Sequence, residues 1–171
     1  MQKMKKNIRP YGPADRPKLT RLIAQLQEHI AALDPHRRQK SGRDFDADAY
    51  MENTMKKIRK SRGMIFVAEV ESEIVGCIIG CIPPPGGNDF LECYPIEEGC
   101  ILEFIVSENS RGSGVGSELM QVMENYFIKA GCKFSRVACF APNIEAHGFY
   151  KKCGYENRNI DMLKEHLKNN S

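Results

Sequence analysis

The stretch Arg111-Gly112-Ser113-Gly114-Val115-Gly116-Ser117 is where this sequence offers chemistry most plainly. Glycines spaced this way, between an apolar strand pattern and an amphipathic helix pattern, let backbone N–H groups gather around an anion at a helix N-terminus. Two phosphate-binding patterns do not fit. A P-loop needs Gly-Lys and then Ser or Thr, whereas Val115, Gly116 and Ser117 follow Gly114 and no lysine comes before Lys129. A dinucleotide turn needs glycine where Ser117 stands, and an acidic residue at the end of the next strand, where Cys139, Phe140 and Ala141 stand. A turn that needs glycine only for its backbone angles remains open at this point. The seven cysteines contain no C-x-x-C pair and the histidines are not clustered, so neither a disulfide framework nor a zinc site follows and no metal is expected. Most of these cysteines lie beside Ile, Val, Phe or Gly, where a free thiol behaves as a small buried hydrophobe.

The elements that must position this turn are legible from periodicity. Asn7–Tyr11 makes a short strand ending in the Pro10–Pro13 turn. Apolar residues then recur at Leu19, Leu22, Ile23, Leu26, Ile30 and Leu33, one face of a helix that Asp34-Pro35 should end. A polar, basic connection from His36 to Asp44 leads to a second helical pattern carrying Tyr50, Met51, Met55 and Ile58, read as a packing element. Met64–Val70 and Ile74–Ile82 read as strands of an antiparallel hairpin around a Glu-Ser-Glu turn. The run Pro83 to Gly87 stops the second strand, and a long acidic loop reaches Gly99. Cys100–Val106 is the strand entering the glycine turn. The helix after it carries Leu119, Met120, Val122, Met123, Tyr126, Phe127 and Ala130 on one side, with Gly131 as its cap. Phe134–Phe140 reads as a strand, Ile144–Lys152 as a short helix capped by Gly154, and Tyr155–Met162 as a final strand. Antiparallel strands first and a strand, helix, strand crossover later predict an α/β (α+β) fold, one mixed central sheet with helices on both faces.

Arg111 followed by x-x-G-x-G resembles the coenzyme-binding turn of the GNAT superfamily of N-acetyltransferases. Asn143-Ile144-Glu145-Ala146-His147-Gly148-Phe149-Tyr150-Lys151-Lys152-Cys153-Gly154-Tyr155 is similar to a second signature of that family, asparagine, then alanine, then Phe-Tyr, then Gly and an aromatic. With the strand Ile101–Val106 before the turn and the ending Arg158–Lys164, the likeness covers nearly the whole chain. The resemblance implies a single domain over 1–171 and direct transfer of an acetyl group from acetyl-CoA to an amine. It further implies that Phe104–Val106 splays from the parallel strand beginning at Phe134. In that cleft Phe104, Ile105 and Val106 would pair with the pantetheine arm through main-chain groups. The amides of Arg111, Gly112, Ser113, Gly114, Val115, Gly116 and Ser117 would hold the pyrophosphate. Arg111 would add its charge, Asn143 would bond the pantetheine or brace the opening, and Lys152 would meet the coenzyme's phosphates.

Amine acetylation sets a further demand. A lysine-like amine has a pKa near 10.4, so presenting it neutral at pH 7 costs roughly 4 to 5 kcal/mol. By resemblance Glu103 is the base, acting directly or through water, with Glu92, Glu97 and Glu98 on the acidic loop as alternatives. Tyr150 matches the family tyrosine that donates to the leaving thiolate, and no cysteine is placed as an acyl-carrying nucleophile.

Composition bounds the rest. The chain of 171 residues is 42% hydrophobic and 27% charged, enough for one core and too apolar for disorder. Its longest apolar runs fall short of a bilayer span, and the basic start Met1–Lys6 has no apolar region behind it, which predicts a cytoplasmic protein without membrane contact. A net charge of +3 is too small to argue for nucleic acid, although Arg37, Arg38, Lys40, Arg43, Lys56, Lys57, Arg59 and Lys60 cluster in one region without aromatic interleaving. From Gly76 to Ser110 there is no Lys or Arg, while Asp89, Glu92, Glu97, Glu98, Glu103 and Glu108 are acidic. If that segment lines the acceptor cleft, it favours a cationic substrate such as a polyamine or an aminoglycoside. A peptide amine, and an acyl-CoA sensor that binds without turnover, are the competing readings; homodimers are common among similar proteins.

Overall fold

The central strands are buried along continuous runs because both faces of the sheet are covered, and the structure, a computed structural model, describes residues 6–166. The basic start before Lys6 and both ends of the expected 1–171 span lie outside the described residues. Strand β1 (Lys6–Pro10) leads through a one-turn 3-10 helix at Pro13–Asp15 into helix α1 (Arg16–Leu33). That helix stops where the Asp34 carboxylate accepts hydrogen bonds from the amides of His36, Arg38 and Gln39 at 3.0, 2.7 and 3.0 Å, which turns the chain away from helical geometry. Burial pushes the Asp34 carboxyl upward, but these three amides outweigh it and hold it below the usual carboxylate range. Helix α2 (Ala47–Lys60) begins at Asp46, whose side chain accepts from the Ala49 amide at 2.9 Å.

Strands β2 (Met64–Val70) and β3 (Glu73–Cys81) form the expected hairpin, joined through Glu71 and Ser72 at φ of 50° and 69°. This is the left-handed turn that suits the twist of paired strands, here without glycine. A single helical turn, α3 (Asp89–Glu92), interrupts the acidic loop. Strand β4 (Glu98–Val106), helix α4 (Val115–Lys129), strand β5 (Phe134–Val137) and helix α5 (Ile144–Lys152) follow.

The sheet runs β1-β2-β3-β4-β5, antiparallel through β4 and parallel between β4 and β5. Its two faces hold separate cores. Helices α1 and α2 cover one face through Leu19, Leu22, Ile23, Met51 and Ile58 against Ile65, Val67, Cys77, Ile79 and Ile105. Helix α4 covers the other through Leu119, Met120, Met123 and Phe127 against Phe66, Ala68, Ile78 and Ile101, and Tyr150 of α5 joins this second core. Glycine lets α4 approach the sheet closely. A Cβ on Gly99 would lie 2.3 Å from the Phe127 ring, and one on Gly80 would lie 2.7 Å from Met123 and Phe127.

Two expected strands are corrected. The strand expected over Phe134–Phe140 ends at Val137, because β4, its partner among the described residues, leaves it there. The strand expected over Tyr155–Met162 does not form. Glu156, Asn157, Arg158 and Asn159 interrupt the apolar alternation, and Ile160 and Met162 remain 83% and 88% exposed. This segment is drawn instead into polar contacts, Arg158 with Glu98 at 3.7 Å and Asn157 with His147 at 2.8 Å.

Candidate active site

The site is built on a defect in the sheet. β3 and β4 keep regular register from Gly76↔Val106 to Ile79↔Glu103, then skip to Gly80↔Ile101, so Leu102 is an extra residue bulged out of β4. On its other edge β4 pairs with β5 only from Glu98↔Phe134 to Ile101↔Val137. Beyond the bulge, Leu102–Val106 has no β5 partner and an open seam runs to the glycine turn. Phe104, Ile105 and Val106 therefore border that seam, as a splayed pair of parallel strands requires.

At the top of the seam the chain folds through Ser107–Ser110 into the turn. Gly112 and Gly114 take φ of 73° and 86°, angles costly for any residue with a Cβ. The Ser113 hydroxyl donates to the Ser110 carbonyl at 2.6 Å, and Lys6 of β1 donates to the Ser113 carbonyl at 3.0 Å while pairing with Glu118 at 2.6 Å. The Glu118 amide donates to the Gly114 carbonyl at 3.1 Å, so the amides of Val115, Gly116 and Ser117 precede the first bond of the helix and form its open, partially positive end. A Cβ at Gly116 would lie 3.3 Å from Phe104 Cζ, so glycine keeps this turn close to the seam. Such a nest fits a pyrophosphate. Arg111 folds back, its Nε donating to the Val106 carbonyl at 3.4 Å and its Nη1 standing 3.5 Å from Glu145. Lys152 lies exposed in the last turn of α5.

Asn143 begins α5 by accepting from the Ala146 amide at 3.2 Å, and this cap sets the rotation of the helix. Phe149 consequently stacks on Phe104 with ring centroids 5.2 Å apart, and Tyr150 stands 6.2 Å from the Phe104 ring and 8% exposed. Burial raises the Tyr150 phenol well above its ordinary range, with Cys139 and Glu103 adding to the effect, so it stays protonated through neutral pH.

Glu103 lies directly beside the bulge and faces α2, where the Tyr50 hydroxyl donates to its carboxylate. Burial pushes the Glu103 carboxyl above its ordinary value, while Tyr50 and Lys57 pull the other way without cancelling it. The other carboxylates are engaged elsewhere. Glu97 pairs with Arg62, and Glu98 with Arg136 at 2.9 Å and Arg158 at 3.7 Å, so the acidic stretch that lacks counter-charge in sequence finds it in space. Glu92 is exposed on α3. Cys77, Cys81, Cys132, Cys139 and Cys153 all have thiols pushed up by burial, which disfavours thiolate chemistry.

Tyr50 is a correction to the packing role its helical spacing suggests: it is 38% exposed and touches the site. Lys57, two turns further along the same helix, also reaches Glu103 electrostatically. No motif marks either residue; only their place on the flank of the buried Met51, Thr54 and Ile58 stripe sets them apart. Among the described residues, no group of three His, Cys, Asp or Glu could hold a metal ion, and no helix is long and apolar enough to cross a membrane.

Known proteins share this fold. The chain is 30% identical over 96 residues to the uncharacterized N-acetyltransferase MJ1530 of Methanocaldococcus jannaschii, a match over 56% of this chain and 54% of that protein, and so spans about half of this relative's length. A mutant of the BH1408 protein from Bacillus halodurans superposes with a TM-score of 0.81 at 16% identity, covering 94% of this chain and 99% of that one. The aminoglycoside N-acetyltransferase AAC(6')-Iy in complex with CoA superposes with a TM-score of 0.72 at 14% identity, covering 96% and 97%. The model of the acetyltransferase (GNAT) family matches residues 23–155, the stretch that contains the bulge, the seam, the glycine turn and α5, and the chain belongs to that family.

Proposed function

We infer that this chain transfers the acetyl group of acetyl-CoA directly to an amine. The observation that carries this reading is the placement of two groups across the open seam. Glu103 faces α2 on one side of the sheet, and Tyr150 packs in the α4 core on the other, each within electrostatic reach of the other. An amine arriving from the α2 side meets a carboxylate with a raised pKa, suited to accept its proton directly or through water near neutral pH. As the amine nitrogen bonds to the thioester carbonyl and the carbon–sulfur bond breaks, the protonated Tyr150 phenol is suited to donate to the departing sulfur. The main chain of Phe104–Val106 and the amides of Arg111–Ser117 would hold the coenzyme, with Asn143 bracing the seam and Lys152 near the phosphates. Positioning of this kind supplies about 7 to 11 kcal/mol, more than one acid or base ordinarily adds.

The acceptor we favour is a small cationic amine, such as a polyamine or an aminoglycoside. Support comes from Glu103 standing beside the paired rings of Phe45 and Tyr50, whose centroids lie 5.4 Å apart, a surface that suits an ammonium group. The pairing of Glu97 and Glu98 with arginines limits the charge available for this preference. The test is thiol release from acetyl-CoA against spermidine, kanamycin, a lysine amide and the less cationic phenylethylamine. Release with spermidine or kanamycin supports both parts. Preference for phenylethylamine, which carries a single charge, removes the polyamine or aminoglycoside acceptor, and silence throughout with coenzyme still bound replaces the transferase by an acyl-CoA sensor.

A further inference from the structure

The helical spacing of α2 places Tyr50 beside packing residues, yet its hydroxyl ends on the Glu103 carboxylate of β4. Its position is built rather than incidental. The Asp46 side chain caps the first turn, and the Tyr50 amide donates to the Asp46 carbonyl at 3.0 Å. Burial of Met51, Thr54 and Ile58 then fixes the rotation of the helix, and Phe45 supports the Tyr50 ring from the preceding connection. Glu103, by contrast, hangs from the bulged part of β4 with no β5 neighbour to restrain it, and a glutamate side chain there has several rotamers open to it.

We propose that Tyr50 is a positioning residue, whose hydroxyl selects one rotamer of Glu103 at the seam and stabilises its ionised form. The inference rests on the reading of Glu103 as the base. Groups that interact electrostatically with Glu103 come from three elements besides its own: Tyr50 and Lys57 on α2, Cys77 on β3 and Tyr150 on α5. Cys77 and Tyr150 are held protonated by burial, so they do not exchange protons with Glu103 across the neutral range. A hydrogen bond to the charged form favours that form, so its removal moves the Glu103 titration upward.

The test is a carbon-13 NMR titration of the full chain labelled at the glutamate carboxyl groups, without coenzyme or acceptor. E103Q identifies the Glu103 resonance by its disappearance. In Y50F, which keeps the ring against Phe45, the Glu103 midpoint rises by about one unit, the size of a lost charge-assisted hydrogen bond. The acid limb of thiol release with spermidine moves upward by the same amount, and the alkaline plateau changes less than the limb. K57M serves as the comparison: it also raises the midpoint, through lost charge, but leaves the couplings of the Glu103 carboxyl carbon to its two Hβ protons unequal, as one fixed rotamer requires, whereas Y50F draws them together as freed rotamers average. An unchanged midpoint in Y50F overturns the proposal. Absence of turnover with every amine overturns the transferase reading alone, because the titration needs no acceptor.

Discussion

Glu103 and Tyr150 show how one neighbourhood sets two opposite tasks. Both are removed from water, and burial favours the neutral form of each. For a carboxyl this raises basicity toward neutrality, and for a phenol it secures the proton. E103Q is therefore expected to lower kcat/KM for a protonated amine on the order of a hundredfold and to flatten the acid limb of the pH profile, measured by thiol release. Y150F is expected to lower kcat on the order of a hundredfold while leaving that limb in place, since the phenol does not titrate there. Loss of the limb in Y150F, or its survival in E103Q, reverses the assignments. Neither variant should abolish turnover, because the seam and the turn continue to align the reactants.

Two elements set the geometry by what they omit. The Leu102 bulge ends the regular pairing of β4 and turns Glu103 toward α2, and the early end of β5 leaves the seam open. Gly99 does the complementary work on the α4 face, where the Phe127 ring lies against its bare backbone. G99A forces a Cβ into that ring, and Phe127 is fully buried. An overpacked core of this kind costs about 1–3 kcal/mol. The expected result is a lower midpoint in urea unfolding with an unchanged slope. A midpoint equal to wild type would mean that α4 can shift away from the sheet.

Across the whole molecule, charge contributes to stability with both signs. Asp15 is held below its ordinary range first by its hydrogen bonds from Arg9, at 2.7 and 2.9 Å, and then by the Gly12 amide at 2.8 Å, and Arg9 also binds Glu69 at 3.0 Å. This tie joins β1, the entry to α1 and β2. Because the folded pKa is depressed, its contribution is present above the unfolded carboxyl range and is lost as pH falls through it toward the folded value. D15N is expected to cost about 2 kcal/mol at neutral pH and to reduce the loss of stability on acidification, read from melting curves across acidic pH. Glu103 has the opposite sign. Its folded pKa is raised, so its charge opposes folding above that value, and E103Q should melt no lower than wild type at alkaline pH.

Much of this was legible in one dimension because it is local. Helical stripes such as Leu19, Leu22 and Ile23, the Asp34-Pro35 stop, the β2–β3 hairpin and the glycine turn all follow from period, capping and backbone angles. The sequence by itself therefore determined the order of the main elements from β1 to α5 and the family signatures that contain Tyr150. Tertiary structure alone decided what those residues face. Whether Glu98 is a free base or Arg136's partner, and whether Tyr50 packs or reaches Glu103, depends on strand register and helix rotation. The failed strand after Tyr155 has the same cause, since a strand exists only where an edge accepts it. Long-range pairing joins residues distant in the chain, and no short spacing records which of them meet.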